Sequence, residues 1–161
     1  KNILIFLSGS KEKNKLKKII HLLDSYKSKV RYNFILSHEY KINFPKNLQV
    51  NHNFIFRKTK DTNQFYNNID LAIIGGGMTK YECMINLIPT MIINLDLKQI
   101  KINSRINNLK FGIVINNLNN LLKKFNEIVH DKVLINKIIK NYIDIRKKYN
   151  EKKLLSRLLN S

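Results

Sequence analysis

Three consecutive glycines, Gly75, Gly76 and Gly77, separate an apolar run from a segment of helical spacing. The stretch reads Asp70-Leu71-Ala72-Ile73-Ile74-Gly75-Gly76-Gly77-Met78-Thr79-Lys80-Tyr81-Glu82, with Ile88-Pro89 beyond it. The pattern predicts a strand, a tight turn and a helix. Glycines let the backbone turn sharply and approach a ligand, because no Cβ stands in the way. The first turn of the helix offers unpaired N–H groups and the positive end of a dipole, which suit a phosphate. Thr79 adds a hydroxyl donor. Glu82, one turn further on, suits a neutral hydroxyl such as that of a ribose. The motif is neither the dinucleotide fingerprint nor the P-loop, since it has no G-x-G-x-x-G and no Gly-Lys-Ser/Thr. An ordinary Gly-rich strand-to-helix turn without a ligand accounts for the same residues.

The remaining chemistry-bearing residues form no constellation. His21, His38, His52 and His130 are scattered, and no two have metal-ligand spacing. His38-Glu39 follows a predicted strand and reads as a solvated loop pair; His21 flanks the apolar stripe of the first helix and reads as structural. Cys83 is the one cysteine, which excludes an internal disulfide and a cysteine-based metal cluster. It reads as a buried, inert thiol with no base beside it. Asp70 reads as a residue that closes the loop before its strand.

These residues need a scaffold, and the 161-residue chain suffices for one domain with its own core. Hydrophobic residues make up 43%, with no apolar run long enough to span a bilayer. No signal-peptide pattern is present, and a cytoplasmic setting is expected. The first residue is Lys1 and a core strand is predicted almost at once, so a fragment of a longer protein is expected. The formal net charge of +19 raises a nucleic-acid or membrane-surface partner as a question. Lysine dominates and is spread along a chain rich in Asn and Ile, a bias of A·T-rich codons. No aromatic-basic interleaving of the RNA-binding kind accompanies it, so specific nucleic-acid binding is not expected.

In chain order, 3–7 reads as a buried strand, followed by the turn Ser8-Gly9-Ser10. A helix from Lys13 buries Leu16, Ile19, Ile20, Leu23 and Tyr26. Strands are predicted at 32–36, 48–50 and 53–56, and a short helix at 62–68. A strand at 71–74 enters the glycine turn, and a helix at 79–87 stops before Pro89. A strand at 90–94 precedes a helix at 99–109 with Ile100, Ile102 and Ile106 inward. A strand at 113–115 leads to helices at 119–129 and 133–148 and a last amphipathic helix around Leu154–Leu159. The alternation predicts an α/β fold: a doubly wound, Rossmann-like parallel sheet covered by helices on both faces. Ligands of such sheets bind outside the carboxyl ends of the strands. The segments at 8–10, 37–39, 57–58, 75–79 and 96–99 all follow strands and would gather there.

The pattern Asp70-Leu71-Ala72-Ile73 … Gly76-Gly77-x-Thr79-x-Tyr81-Glu82-Cys83 … Ile88-Pro89-Thr90-Met91-Ile92-Ile93 resembles the C-terminal half of GT-B enzymes. It looks most like the UDP-sugar hydrolases of pseudaminic acid biosynthesis and the related spore-coat polysaccharide proteins. The N-acetylglucosaminyltransferase that makes lipid II is a more distant likeness. Those proteins typically carry A-D-L-A-I-G-A-G-G-S-T-x-W-E, a Gly-Leu-Pro, a strand, and a loop ending in Gln before a helix. The resemblance implies that this half binds the nucleotide of a UDP-sugar. By position, Gly76, Gly77 and Thr79 hold the diphosphate and Glu82 takes the ribose. The loop by Phe56 meets uracil, Gln99 reaches sugar or phosphate, and Gly9 and Ser10 approach the phosphates. Ser8, Lys11, Met78, Lys80, Tyr81, Leu87 and Lys98 depart from the family pattern. Met78 removes a hydroxyl donor, and Lys11 and Lys98 offer charge toward phosphate instead.

The resemblance also implies an N-terminal domain of the same chain that carries the general base. No catalytic residue, metal or cofactor is therefore expected in this piece, which would not catalyse anything alone. The expected function is the UDP-sugar-binding half of a hydrolase or glycosyltransferase in surface-polysaccharide or nonulosonic acid synthesis. A non-catalytic nucleotide-sugar-binding or scaffold module with a worn site is the first alternative. A basic, nucleic-acid-associated α/β domain is the second.

Overall fold

Apolar, β-branched runs too short for helices build the central sheet. The computed structural model describes residues 1–7, 13–26, 29–36, 54–58 and 63–148. The strands are β1 (Asn2–Phe6), β2 (Arg31–Leu36), β3 (Phe54–Lys58), β4 (Leu71–Gly75), β5 (Thr90–Ile93) and β6 (Ile113–Ile115). They lie in the order β3-β2-β1-β4-β5-β6, with every pairing parallel. The helices are α1 (Lys13–Asp24), α2 (Thr79–Ile85), α3 (Leu97–Asn108), α4 (Leu121–His130) and α5 (Lys132–Lys148). Single 3-10 turns occupy Asn63–Phe65 and Leu118–Asn120. The chain runs outward from β1 to β3, then restarts beside β1 with β4 and runs the other way. The reversal lies between β1 and β4, and in sheets of this kind ligands bind outside the carboxyl ends of the strands at such a point.

Alternate residues of each strand point to opposite faces. One face presents Ile3, Ile5, Tyr32, Phe34, Ile73 and Met91 to α1, α4 and α5, which contribute Ile19, Leu23, Phe125, Ile138 and Tyr142. The other presents Leu4, Ile35, Ala72, Ile74 and Ile92 to Tyr66, to Cys83 of α2, and to Ile88 and Ile106. Both faces are covered, as parallel sheets require. Tyr32 stacks on Phe54 at 5.1 Å between ring centres, and among the described residues its buried hydroxyl has no hydrogen-bond partner. Burial there raises its pKa above the ordinary tyrosine value. Tyr32→Phe deletes an unsatisfied buried group without opening a cavity, so a gain of about 1 kcal/mol is expected in urea denaturation.

Both α2 and α3 end in the same backbone motif. Leu87 and Lys110, each at φ 56, take the left-handed position after the C-cap. Ile88 N then reaches Cys83 O at 2.8 Å, and Phe111 N reaches Ile106 O at 2.9 Å. Glycine is the usual residue at such a position. Lys110 is exposed, so Lys110→Gly loses no packing and is expected to raise the unfolding free energy by about 1 kcal/mol. Leu87 is half-buried against the core, and its packing offsets the same strain.

Three expectations fail in detail. Ile102 is 60% exposed rather than inward, because the buried side of α3 is centred on Asn103. His21 is exposed and supports no core. The stretch at 62–68 forms only the 3-10 turn within its described part. The predicted strand at 48–50, His38, His52 and the leucines at 154–159 lie outside the described residues. So do the turn residues Gly9 and Ser10.

Candidate functional site

The glycine turn leaves β4 at the reversal point of the sheet. A Cβ on Gly75 would lie 3.7 Å from Leu7 Cα at the end of β1 and 3.1 Å from Leu95 Cδ1 after β5. Gly76 is closed in further: a Cβ there would meet Asn103 Nδ2 and Gln99 Oε1, each at 2.5 Å. Among the described glycines only Gly112 has a positive φ. The turn therefore needs glycine at Gly76 for close approach to neighbouring side chains, not for special backbone angles. The register that pairs Gly75 with Ile93 turns the Gly76 N–H toward the β5 edge, and among the described residues the backbone N–H groups of Gly77 and Met78 donate no hydrogen bond. Met78 stands before α2 with no side-chain cap and is 58% exposed.

Beneath the turn runs a chain of buried polar groups. Lys80 Nζ donates to the carbonyl of Gly76 at 3.0 Å and to Asn103 Oδ1 at 2.7 Å. Asn103 Nδ2 donates to Asn94 Oδ1 at 2.7 Å, and Asn94 Nδ2 to Asn116 Oδ1 at 2.7 Å. The chain ties α2 to α3 and to the ends of β5 and β6. Lys80 is 4% exposed, and burial holds its pKa below the ordinary lysine value. From α1, Lys15 Nζ donates to the carbonyl of Leu95, so a second amine reaches this edge.

Of the residues singled out in the sequence, Gly76 and Gln99 are brought together. Asp96 caps α3 by accepting from Gln99 N at 2.9 Å, and Gln99 Oε1 accepts from Leu95 N at 2.9 Å. The Gln99 carbonyl is thus used within the fold, and among the described residues its amide nitrogen has no acceptor. Gly77 follows in the turn and is half-buried. Thr79 opens α2 and is buried. Glu82 accepts from the Tyr66 hydroxyl through Oε2, so its carboxylate is held from the segment before β4. Phe56 lies in β3, paired with Phe34 of β2, and two strands stand between β3 and the turn. Asp70 closes its loop as expected, accepting from Asn2 N at 2.7 Å.

Sequence reading missed Lys80, Tyr66, Asn94 and Asn103. The available signal was polarity on a buried stripe. Asn103 falls midway between Ile100 and Ile106, and Lys80 sits three residues before buried Cys83. Burial pushes the Cys83 thiol up to about 12, with the charge of Glu82 adding to the effect. At pH 8 Cys83 is therefore expected to react with a disulfide reagent at least about 100-fold more slowly in the native chain than in denaturant, by absorbance of the released thiolate. Among the described residues no group of three or more His, Cys, Asp or Glu side chains is placed to hold a metal ion, and no helix is long and apolar enough to cross a membrane.

No protein-family model matches the sequence, and no curated protein does. Solved structures do match. A glycotransferase of kitacinnamycin superposes with a TM-score of 0.78 at 11% identity, over 99% of this chain and 42% of that one. The spinosyn rhamnosyltransferase SpnG, in a structure complexed with thymidine diphosphate, gives 0.74 at 15% identity over 100% and 45%. MurG of Acinetobacter baumannii gives 0.67 at 14% identity over 88% and 44%. The fold is that of a GT-B glycosyltransferase domain. The chain spans less than half the length of the structures it matches. Its glycine turn lies at the sheet's reversal point, where Rossmann-like sheets take ligands.

Proposed function

We propose that this GT-B domain is the C-terminal, nucleotide-sugar-binding half of an enzyme that cleaves or transfers the sugar of a UDP-sugar, in the synthesis of a surface polysaccharide or nonulosonic acid. The observation that carries the reading is the glycine turn at the carboxyl end of β4. The N–H groups of Gly77 and Met78 are unengaged among the described residues, and amines and amides lie beneath and beside the turn. Gly76, Gly77 and Thr79 meet the diphosphate, Glu82 the ribose, and Gln99 the sugar or a phosphate through its amide nitrogen. Gly9 and Ser10 approach the phosphates from the end of β1. Phe56 marks the uracil end. Three inter-strand steps separate β3 from β4, about 14 Å, which a nucleoside diphosphate lying along the strand ends can span.

In this scheme the domain stabilises the departing diphosphate with oriented backbone dipoles, which act most strongly as charge develops. The general base comes from an N-terminal domain of the same chain. SpnG, the neighbour solved with thymidine diphosphate, supports a nucleoside diphosphate as the ligand class. Calorimetry with UDP and thymidine diphosphate at low and moderate salt tests the reading. Saturable binding, weakened by Glu82→Ala, is the expected result. No binding of either at millimolar concentration, about −4 kcal/mol, overturns it. The net charge of +19 supports a second reading as a nucleic-acid-associated domain. Salt-sensitive binding to arbitrary DNA, with both nucleotides ignored, would favour that one.

A further inference from the structure

Among the described residues, Lys80 is a buried cation with only neutral partners. Its ammonium meets the carbonyl of Gly76 and the amide oxygen of Asn103, and lies 5.0 Å from the centre of the Tyr81 ring. Among the described residues no carboxylate pairs with it. Glu82, two residues on, is engaged by Tyr66 instead. Burying a charge without an opposite charge is costly, and such a charge attracts any anion that comes near it with little water between. The glycine turn lies directly against it, through the Gly76 carbonyl. Its Gly76 carbonyl is pulled inward by Lys80 itself, which keeps the hydrogen-bonding capacity of the turn's N–H groups for the outer side. An ordinary buried lysine would be satisfied by a carboxylate; here, among the described residues, the fold supplies two oxygens for the three ammonium donors.

We infer that Lys80 is the internal counter-charge of the glycine turn: its buried ammonium positions the Gly76 peptide and makes the site selective for the doubly phosphorylated ligand over the uncharged nucleoside. The inference rests on the nucleotide reading of this site given above. It explains how the turn tolerates Met78 in place of a hydroxyl donor. One directional hydrogen bond is replaced by a charge held underneath, in a medium where charge acts over a longer range than in water.

The experiment is calorimetry of the 161-residue chain and of Lys80→Met with UDP, UMP and uridine, together with NMR of the lysine side chains labelled at Cε and Nζ. The native chain is expected to bind UDP more tightly than uridine. Lys80→Met is expected to weaken UDP about tenfold and uridine less than about twofold. The Lys80 side-chain resonance, assigned by its loss in Lys80→Met, is expected to shift on saturation with UDP and not with uridine. If Lys80→Met does not fold, Lys80→Gln supplies the assignment and the native NMR titration decides. Failure of the native chain to bind UDP overturns the nucleotide reading. UDP binding with an unmoved Lys80 resonance, or an unchanged UDP-to-uridine ratio in Lys80→Met, overturns the role of Lys80 and leaves that reading standing. An equal loss for all three ligands assigns Lys80 to structural support and also overturns the inference.

Discussion

Gly76→Val is expected to abolish detectable UDP binding, at least about 100-fold, and to lower stability by about 3 kcal/mol. The backbone does not forbid valine, since Gly76 has no positive φ. Space does. The first carbon of the new side chain would fall 2.5 Å from both Asn103 Nδ2 and Gln99 Oε1, and 2.9 Å from Gln99 Cδ. Both contacts are ends of flexible side chains, so they move rather than displace backbone. Each is also committed: Gln99 Oε1 holds Leu95 N, and Asn103 links Lys80 to Asn94. Moving them leaves a buried ammonium and a buried amide short of partners, which sets the stability cost. The same movement pushes the start of α3 and its Gln99 away from the turn, which removes the ligand's bed. Urea denaturation and calorimetry measure the two effects separately. A fully stable Gly76→Val that still binds UDP would show that the crowding around Gly76 has no bearing on the site.

The sheet was legible because its strands are written as unbroken apolar runs. Ile3 to Phe6 and Leu71 to Ile74 have no other short explanation, and the helices between them force the strands parallel. The reversal that puts β4 beside β1 follows from crossover length and handedness rather than from any residue. The glycine turn was legible as a turn but not in its reason, since the sequence hides the side chains that crowd Gly76 from α3. Helix ends were misjudged where the capping residue breaks the usual rule: Leu87 stands at a position that normally signals itself with glycine. The polar floor was illegible for another cause. Lys80 and Asn103 are 23 residues apart, and only the folded chain makes their burial affordable. Ile102 looked inward because its neighbours Ile100 and Ile106 set an apolar stripe, and the true buried residue on that face is polar. Glu82 read as free for a ligand; Tyr66, 16 residues earlier in the chain, holds it.

Asn103→Ala is expected to cost about 3 kcal/mol, the largest loss from a single side chain outside the apolar core. Asn103 is fully buried and sits between a cation and an amide. Its removal takes one of two oxygen partners from Lys80, worth about 1.5–3 kcal/mol for a charged donor, and leaves Asn94 Oδ1 without its donor, worth about 1 kcal/mol. For a chain of this size the midpoint of thermal unfolding should fall by about 6–12 °C. The ionisation of Lys80 gives the loss its pH dependence. Burial holds the folded pKa below 10.5, and Asn103→Ala lowers it further. The unfolded chain then binds more protons than the native one between the folded pKa and 10.5, so the penalty is full at neutral pH and relieved as pH rises toward 10.5. Cys83 titrates with the opposite sign in the same region, which makes the comparison with Lys80→Met essential. In Lys80→Met the same Asn103→Ala change should cost only about 1 kcal/mol, a coupling of about 2 kcal/mol in the double-mutant cycle. A cycle that closes with no coupling would mean that Lys80 and Asn103 do not share a hydrogen bond in solution. The polar floor of the glycine turn would then be a set of independent groups and not one network.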